Sequence, residues 1–253
     1  MYAIGRMLSW QKVRENMIRE NRDNYWMLNW LDQFMEGHKG FICGGCFKNI
    51  FNKEKVKDLD IFFRCSSDWD DAIEYFDSMT AGYSDGVSED IVSEEDAQYR
   101  FLYENDNVKA YIHKKTGVRL ELCNKIFGTA EEIISQFDFT ITKFAYYKAE
   151  IEDETGAEVE EIPFDVESEG EKIKTHIEYR VMYDDKFFEH LHLKRLVIND
   201  KIPYPMSTFE RMLRYAKYGY FPCRETKMLL IKALRELDDK QVKLSESLYN
   251  GMD

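Results

Sequence analysis

Short apolar runs separated by polar turns occupy the middle of the chain and predict a β-sheet with helices packed against it. Residues 41–43 and 59–63 are apolar runs of the length of buried strands, and residues 46–51 between them have helical spacing. Residues 108–112 and 118–122 alternate between apolar and polar positions on either side of a short polar turn, which predicts a β-hairpin. We therefore expect a mixed α/β fold.

Helical patterns precede and interrupt these predicted strands. Trp26, Trp30 and Phe34 recur at helical intervals, so they are expected to pack in the core against the sheet. Another helix is expected after Ser66, and Thr129 opens a Thr-Ala-Glu-Glu capping box that predicts a short helix. These helices would cover the sheet.

Charge divides the chain into three predicted parts. Residues 149–171 contain eleven acids and no Lys or Arg, which is typical of a solvated linker or insertion. Residues 192–235 carry ten Lys and Arg against three acids; because the whole chain has a net charge of −13, this segment of +7 leaves −20 elsewhere. We expect a head domain over residues 1–148, an acidic linker over 149–175 and a small helical, basic C-terminal module over 176–253.

The basic module contains a predicted helix with a cationic face. Residues 207–210 form a second capping-box pattern, and Gly219 is expected to end the helix. Arg211 and Arg214 lie one turn apart on one side. A further long amphipathic helix is expected over residues 225–248. A basic module in an acidic protein indicates a partner that carries phosphate.

Composition excludes several classes of protein. At 253 residues, with 44% hydrophobic and 15% aromatic residues, the chain is long and apolar enough for packed cores. It shows no membrane-length apolar run and no signal peptide, and its five cysteines lack a disulfide framework, so we expect a cytoplasmic protein with no membrane partner. Cys43 and Cys46 form a C-x-x-C without a second pair, so we interpret them as packing residues.

The candidate chemistry lies between residues 44 and 60. Asp58 and Asp60 are two positions apart at the start of a predicted strand, so their side chains share a face and suit a divalent cation such as Mg²⁺. Gly44 and Gly45 form a strand-to-helix corner where phosphate could approach the backbone. Taken separately, the glycines predict only a turn and the aspartates only solvated carboxylates. Together they predict a site for a metal ion and a triphosphate.

This stretch resembles the nucleotidyltransferase superfamily that includes DNA polymerase beta, and is most similar to the head domain of bacterial CCA-adding enzymes and poly(A) polymerases. The signature G-G-x-x-R-D followed by D-x-D is matched by Gly44, Gly45, Asp58 and Asp60, with Lys48-Asn49 in place of Arg-Asp. The resemblance implies a polymerase-beta-like α/β head in which the two aspartates hold two Mg²⁺ (or Mn²⁺) ions. It also implies that the two glycines and Lys48 cradle the β- and γ-phosphates.

A second motif supports the resemblance. Residues 137–146, F-D-F-T-I-T-K-F-A-Y, are similar to R-D-F-T-I-N-A-L-A-Y of the CCA-adding enzymes. The resemblance places Asp138 beside the nucleotide, while Gln-Phe at residues 136–137 replaces the family's arginines. From the residues alone, Asp138 could instead cap a helix that continues through residue 147.

Two further sets of site residues follow from the resemblance. The superfamily commonly has a third carboxylate on a neighbouring strand, for which Glu121 is the candidate; the alternative is an exposed Arg119–Glu121 pair. The helix containing Arg211, Arg214 and Lys217 is similar to the neck motif E-D-P-L-R-x-L-R-a-x-R-F, which implies contact with the nucleotide or the acceptor. Its alternative is a solvated basic face. The acidic pair of the motif is replaced here by Ser-Thr at 207–208.

The sequence therefore predicts a nucleotidyltransferase that moves a nucleoside monophosphate from an NTP to a hydroxyl and releases pyrophosphate. The expected acceptor is an RNA 3′ end of tRNA type. A toxin-like enzyme acting on tRNA or protein would use the same head. A non-catalytic nucleotide-binding regulatory protein is the alternative of another class, favoured by the departures at residues 48–49, 136–137 and 207–208 and opposed by the intact Asp58-x-Asp60.

Overall fold

A seven-stranded mixed sheet forms the centre of the protein in the computed structural model, which describes residues 22–82, 92–153, 158, 175–198 and 202–237. Its strands are β1 (Phe41–Cys43), β2 (Asp58–Phe63), β3 (Tyr99–Asn105), β4 (Val108–His113), β5 (Arg119–Phe127), β6 (Phe144–Glu152) and β7 (Thr175–Tyr183). Their spatial order is β3-β4-β5-β2-β1-β6-β7. The mixed α/β fold expected from the apolar pattern is confirmed.

Helices precede, interrupt and follow this sheet. A 3₁₀ segment at Arg22–Phe34 comes first. The helices are α1 (Cys46–Phe51), α2 (Ser66–Ser78), α3 (Ala130–Ser135), α4 (Phe187–His192), α5 (Pro205–Lys217) and α6 (Arg224–Arg235). A parallel ribbon of β8 (Arg195–Leu196) and β9 (Phe221–Pro222) links the last three. Among the helices that the structure describes, none combines the length and the apolar character needed to cross a bilayer.

Strand β2 positions the candidate site because it pairs with β1 on one side and with β5 on the other. The pairing with β5 is parallel, so both strands start at the same edge of the sheet. Along β2, Leu59, Ile61 and Phe63 are fully buried. Asp58 and Asp60 alternate with them and therefore lie on the other face, as the two-residue period of a strand requires.

The chain between residues 139 and 152 corrects one expectation. The predicted helix through residue 147 is wrong: a single 3₁₀ turn at Thr140–Thr142 leads directly into β6. Ala145 and Tyr146 pair with β1, and both are fully buried. Two-sided burial in a central strand explains why this stretch is apolar without clear alternation, a pattern that a buried helix also shows.

Strands β6 and β7 extend across the predicted domain boundaries at residues 148 and 175. The boundary at residue 148 falls within β6, and β7 pairs antiparallel with β6 from Phe144↔Tyr183 to Glu152↔Thr175. Residues 175–183 therefore belong to the sheet, although they fall largely in the predicted C-terminal module. Most of the acidic stretch lies outside the described residues, and the division into three domains stays a prediction.

Some features of the helices differ from those expected, and others agree. Phe34 is fully buried, but Trp26 is 70% and Trp30 36% exposed, so the core position expected for the two tryptophans is wrong. Helix α5 begins at Pro205 without a side-chain cap, because proline suits the first turn and supersedes the predicted capping box. The capping box at Thr129 is confirmed. Gly219 (φ +81°) follows the end of α5, as expected. Of the long helix predicted to run to residue 248, the part beyond 237 lies outside the described residues.

Candidate active site

The three predicted carboxylates lie on two neighbouring strands with an arginine among them. In the parallel pairing of β2 with β5, Asp58 is opposite Arg119 and Asp60 is opposite Glu121. Arg119 Nη2 is 2.9 Å from Asp58 Oδ1, and Arg119 Nε is 2.9 Å from Glu121 Oε1. The Tyr103 hydroxyl donates a hydrogen bond of 3.0 Å to the same Glu121 oxygen. The guanidinium therefore bridges two of the three carboxylates.

Asp60 is the carboxylate without such a partner among the described residues, and its environment disfavours the charged form. Burial raises the pKa of Asp60 to about 7, and the neighbouring Glu121 and Asp58 carboxylates contribute, while Arg119 acts in the opposite direction. Because like charges are crowded at a partly buried position, a nearby positive charge would stabilise the ionised carboxylates. Arg119 pairs directly with Asp58 and Glu121, whereas it only partly offsets the raised pKa of Asp60.

The donor atoms suit a hard divalent cation, but they are not assembled around one point. All three side chains offer carboxylate oxygens, which Mg²⁺ prefers, and the crowding around Asp60 would be relieved by a cation. Within the described part of the chain, no three Asp, Glu, His or Cys side chains stand together as a ready metal site. Arg119 lies against one oxygen of Asp58 and one of Glu121, so an ion at these carboxylates would have to compete with the guanidinium.

The Gly44-Gly45 corner contacts both the acidic strand and helix α5. Gly44 has φ +93°, a conformation that L side chains rarely adopt, and a Cβ there would lie 3.3 Å from Asp60 Oδ2. A Cβ on Gly45 would lie 3.0 Å from the Tyr215 hydroxyl. Glycine is favoured at position 44 by its backbone conformation and at position 45 by the close approach of Tyr215, and the corner brings backbone next to Asp60, where the sequence predicted a phosphate cradle.

Helix α5 is also joined to the head through Asp138. Arg211 Nε and Nη2 each lie 2.8 Å from Asp138 Oδ2, and Asp138 Oδ1 accepts a hydrogen bond of 2.9 Å from the Phe139 N–H. The Asp138 side chain is 6% exposed, so the ion pair compensates a buried charge. One turn on, Tyr215 packs edge to face on Phe139 with ring centroids 5.9 Å apart. Asp138 and Arg211 therefore pair with each other, and their role beside a nucleotide stays a prediction.

The remaining predicted cations have different surroundings. Lys48 Nζ is 2.7 Å from Glu54 Oε2 and 5.0 Å from the centre of the Tyr218 ring, so its ammonium is already paired. Arg214 and Lys217 are exposed, and neither makes an ion pair with any residue that the structure describes. They are available to a ligand, whereas Lys48 would have to exchange a partner.

Two tyrosines of the site were missed by the sequence analysis. Tyr215 lies four residues after Arg211, and this helical spacing could have indicated that both face the head. Burial raises the pKa of Tyr215, and the nearby Asp138 charge adds to the shift. Tyr103 comes from β3, a strand that was not predicted, and its contact with Glu121 depends on strand order, for which the sequence carries no local signal.

These features define a mixed α/β protein with an acidic site at the paired starts of two parallel strands, closed on one side by a C-terminal helix. The model of the Gabija anti-defense 2 family matches residues 21–194, more than half of the chain. The chain belongs to this family. No curated protein sequence matches it.

Solved structures similar to this chain are CCA-adding and tRNA-processing enzymes. A CCA-adding enzyme with CTP is 14% identical, with a TM-score of 0.49, and the match covers 86% of this chain and 45% of that one. The Thermotoga maritima CCA-adding enzyme complexed with tRNA is 13% identical, with a TM-score of 0.43 and coverages of 83% and 41%. A tRNA nucleotidyltransferase with a primer tRNA and an ATP analog is 16% identical, with a TM-score of 0.42 and coverages of 83% and 50%. The matches span about half the length of these solved chains.

Proposed function

We propose that this protein is a metal-dependent nucleotidyltransferase that moves a nucleoside monophosphate from an NTP to a hydroxyl acceptor and releases pyrophosphate. The observation that carries the proposal is the contact between the Gly44 corner and Asp60. A position for phosphate against backbone and a position for a metal among carboxylates are adjacent there, since a Cβ on Gly44 would lie 3.3 Å from Asp60 Oδ2. Phosphoryl transfer needs this adjacency because the metal must bridge the triphosphate.

Asp58 and Asp60 are the proposed ligands of Mg²⁺ or Mn²⁺, and Glu121 is the proposed third carboxylate. When bound, the metal would neutralise the triphosphate and activate the acceptor hydroxyl. Gly44 and Gly45 would admit the phosphates to the backbone. Arg119 would then exchange its carboxylate partners for another anion or for solvent, because its present pairs occupy the oxygens of Asp58 and Glu121.

The cationic face of α5 is the proposed second half of the nucleotide site. In support, Arg211 is paired with Asp138 of the head, while Arg214 and Lys217 are exposed and have no ion pair with any residue that the structure describes. An NTP carries several negative charges, and acidic residues alone would repel it, so guanidinium groups are suited to hold it. Lys48 would contribute only by leaving Glu54.

The proposed acceptor is an RNA 3′ end of tRNA type, with a protein acceptor as the toxin-like alternative. The family's name ascribes to its members an action against a defense called Gabija. We propose that the transfer reaction is the means of that action, so that the labelled acceptor is a molecule on which this defense depends.

Incubation with each labelled NTP, Mg²⁺ and total cellular RNA or protein tests the proposal, with gel separation of the products. Wild-type protein should label a discrete species, and Asp58→Ala or Asp60→Ala should abolish labelling while the circular dichroism spectrum is kept. The exposed Asp106→Ala serves as the matched loss of a carboxylate outside the site. Full turnover in both site variants would contradict the metal assignment.

A second candidate is a non-catalytic nucleotide-binding regulatory protein. The specific observation in its favour is the Arg119 bridge, because a guanidinium that neutralises Asp58 and Glu121 does without a metal ion. The two functions differ in metal dependence. NTP binding that is unchanged by Mg²⁺ and by chelator, with no labelled product, would favour the regulatory protein.

A further inference from the structure

Tyr218 is a large aromatic residue left open at the end of α5. It is 56% exposed, and the turn that follows it contains Gly219 with φ +81°. Lys48 Nζ lies 5.0 Å from the centre of the ring, within the range of a cation–π contact. The ring is thus positioned by a cation from the head while more than half of the side chain remains available to a ligand.

Two exposed cations of α5 lie within one turn of this ring in the sequence. Arg214 lies one turn before Tyr218 on the same side of α5, and Lys217 precedes it directly; both are exposed and without an ion pair among the described residues. We call the set Lys48, Lys194, Arg214, Lys217 and Tyr218 the Tyr218 surface. Lys48 contacts the Tyr218 ring directly but is buried and paired with Glu54, whereas Lys194 reaches the set through Tyr220, whose ring also lies 5.9 Å from Lys48 Nζ. In a chain with a net charge of −13, this is a local cluster of positive charge.

Lys194 contacts Tyr220, two residues after Tyr218, with its side chain. Its φ of +53° lies in the left-handed region, which favours glycine and is strained for a lysine. Its Nζ donates a hydrogen bond of 3.2 Å to the Tyr220 hydroxyl and lies 4.5 Å from the centre of that ring. These contacts direct the ammonium to Tyr220, a buried ring that neighbours Tyr215.

Acidic neighbours only partly offset this charge. Glu54 pairs with Lys48, and Glu210 lies one turn before Arg214 on α5 without an ion pair to it. The described residues of the surface thus keep an excess of positive charge. Anionic ligands are favoured over cationic or neutral ones.

The Tyr218 surface is continuous with the candidate active site. The Tyr215 ring centroid lies 6.5 Å from that of Tyr218, and the Tyr215 hydroxyl approaches Gly45. On the head side, Lys48 belongs to α1, which begins directly after Gly45. A ligand lying on the surface would therefore lead towards the corner where the transfer reaction is proposed.

We propose that the Tyr218 surface binds the unpaired end of an RNA strand, with one base stacked on Tyr218 and phosphates at Arg214, Lys217 and Lys194. The inference rests on the proposed function, because it supplies the acceptor of that reaction. An open aromatic ring among free cations is the arrangement that single-stranded nucleic acid recognises, since bases stack and phosphates pair with the cations. An acidic peptide would use the cations but would gain little specifically from the ring.

Fluorescence anisotropy of a labelled single-stranded oligoribonucleotide, with the full chain and without NTP or metal, tests this. Tyr218→Ala should weaken binding about tenfold, and Tyr218→Phe should bind nearly as wild type, because the ring is kept. Arg214→Ala or Lys217→Ala should each reduce the slope of log affinity against log salt by about 0.7. These side chains are exposed, so folding should be retained.

Phe101→Ala is the matched control. Phe101 is 45% exposed and also lies near a lysine, with Lys109 Nζ 6.0 Å from its ring centre, but that lysine pairs with Asp77 and lies 3.7 Å from Glu104. Phe101→Ala should leave the affinity unchanged. The inference is overturned if Tyr218→Ala binds as wild type, if Phe101→Ala weakens binding as much as Tyr218→Ala does, or if an acidic peptide competes as well as the oligonucleotide.

The experiment separates this inference from the proposed function. Asp60→Asn should bind the oligonucleotide normally while failing to transfer nucleotide, because binding uses neither metal nor NTP. If the wild type binds RNA through Tyr218 but transfers no nucleotide, only the proposed enzymatic activity is overturned. If the wild type transfers nucleotide but the Tyr218 variants bind RNA as it does, only the proposed RNA-binding surface is overturned.

Discussion

Arg211 joins helix α5 to the head through a single carboxylate oxygen of Asp138, with its Nε and Nη2 both 2.8 Å from Oδ2. The carboxylate is 6% exposed, while the arginine side chain is 39% exposed. A buried charge without its partner is costly, so this pair favours the position of α5 against the corner that Gly45 and Tyr215 share. The same arginine can therefore serve packing and nucleotide binding.

Arg211→Ala should lower the free energy of unfolding by roughly 2–3 kcal/mol, because it leaves the Asp138 carboxylate buried and unpaired. The same change should weaken NTP binding by ~1–3 kcal/mol if the guanidinium also contacts the nucleotide. Urea denaturation and NTP titration at two ionic strengths measure the two effects. Arg211→Lys should recover only part of each, since an ammonium lacks the planar fork.

Arg214→Ala is the matched control for stability, one turn along the same helix and without an ion pair among the described residues. Its unfolding free energy should stay within about 0.5 kcal/mol of the wild type. Asp138→Asn combined with Arg211→Ala should be more stable than Arg211→Ala alone. Equal destabilisation by Arg211→Ala and Arg214→Ala would contradict the role given to the ion pair.

The raised pKa of Asp60 makes stability depend on pH in a defined direction. The folded protein holds this proton up to about pH 7, whereas the ordinary value is 3.8. Between these values the folded state binds more protons than the unfolded state, so stability falls as pH rises through the window. Asp60→Asn removes the effect and should be more stable than wild type at pH 8 by roughly 2–4 kcal/mol.

At pH 3.5 the two proteins should have similar stability, because Asp60 is then largely protonated in both states. Thermal or urea unfolding across pH 3.5–8 measures the difference. Asp106→Asn, in the exposed turn between β3 and β4, should show no such window. A constant difference between Asp60→Asn and wild type at every pH would contradict the assignment of the proton to Asp60.

The Arg119 bridge predicts that removal of the guanidinium strengthens metal binding. Arg119→Gln frees the oxygens of Asp58 and Glu121 and removes a positive charge beside Asp60, so Mn²⁺ should bind about tenfold more tightly than to the wild type. Calorimetric titration with Mn²⁺ at fixed ionic strength checks this without any catalytic readout. Added NTP should reduce the difference in Mn²⁺ affinity between Arg119→Gln and the wild type, because a polyphosphate gives Arg119 another partner.

Lys125→Gln controls for net charge, since Lys125 lies on the same strand and its ammonium is near Tyr204 rather than the carboxylates. Its Mn²⁺ affinity should equal that of the wild type. If Arg119→Gln and Lys125→Gln bind Mn²⁺ equally, the guanidinium does not compete with a metal. Binding that survives Asp60→Asn unchanged would place the ion elsewhere.

The sequence predicted the acidic strand and its glycine corner because both depend on local pattern. Asp58 and Asp60 alternate with buried Leu59 and Ile61, and this two-residue period is visible in the sequence itself. The pairing of Arg119 with Glu121 was likewise one of the two interpretations of Glu121 that the sequence allowed, because both residues lie on the same face of a predicted strand. These features need only the geometry of a single strand.

Features that depend on distant partners were not accessible in the same way. The strand at Phe144–Glu152 was missed because burial on both sides removes the alternation that distinguishes strands from helices. The link from Arg119 to Asp58 depends on the parallel register of β2 and β5. The approach of Tyr215 to Gly45 depends on how α5 docks. No local pattern encodes either contact.

Gly45 and Tyr215 give a steric test of that docking. Gly45 has φ −71° and ψ −17°, which suit alanine, so Gly45→Ala costs little through the backbone. The new Cβ would lie 3.0 Å from the Tyr215 hydroxyl, so α5 must shift or the tyrosine must move. We expect Gly45→Ala to lower the unfolding free energy by about 1–2 kcal/mol and to weaken NTP binding.

Tyr215→Phe in the Gly45→Ala background should recover most of the loss, because it removes the oxygen that the Cβ would meet. Gly117→Ala is the backbone control: its φ is +73° and a Cβ at this position would have no neighbouring atom within 4 Å, so the substitution introduces only conformational strain, which Tyr215→Phe cannot relieve. Urea unfolding of the single and double variants gives the coupling between the two positions. An additive result for Gly45→Ala with Tyr215→Phe would mean that α5 does not close against the glycine corner in solution, and the C-terminal half of the nucleotide site would lose its structural basis.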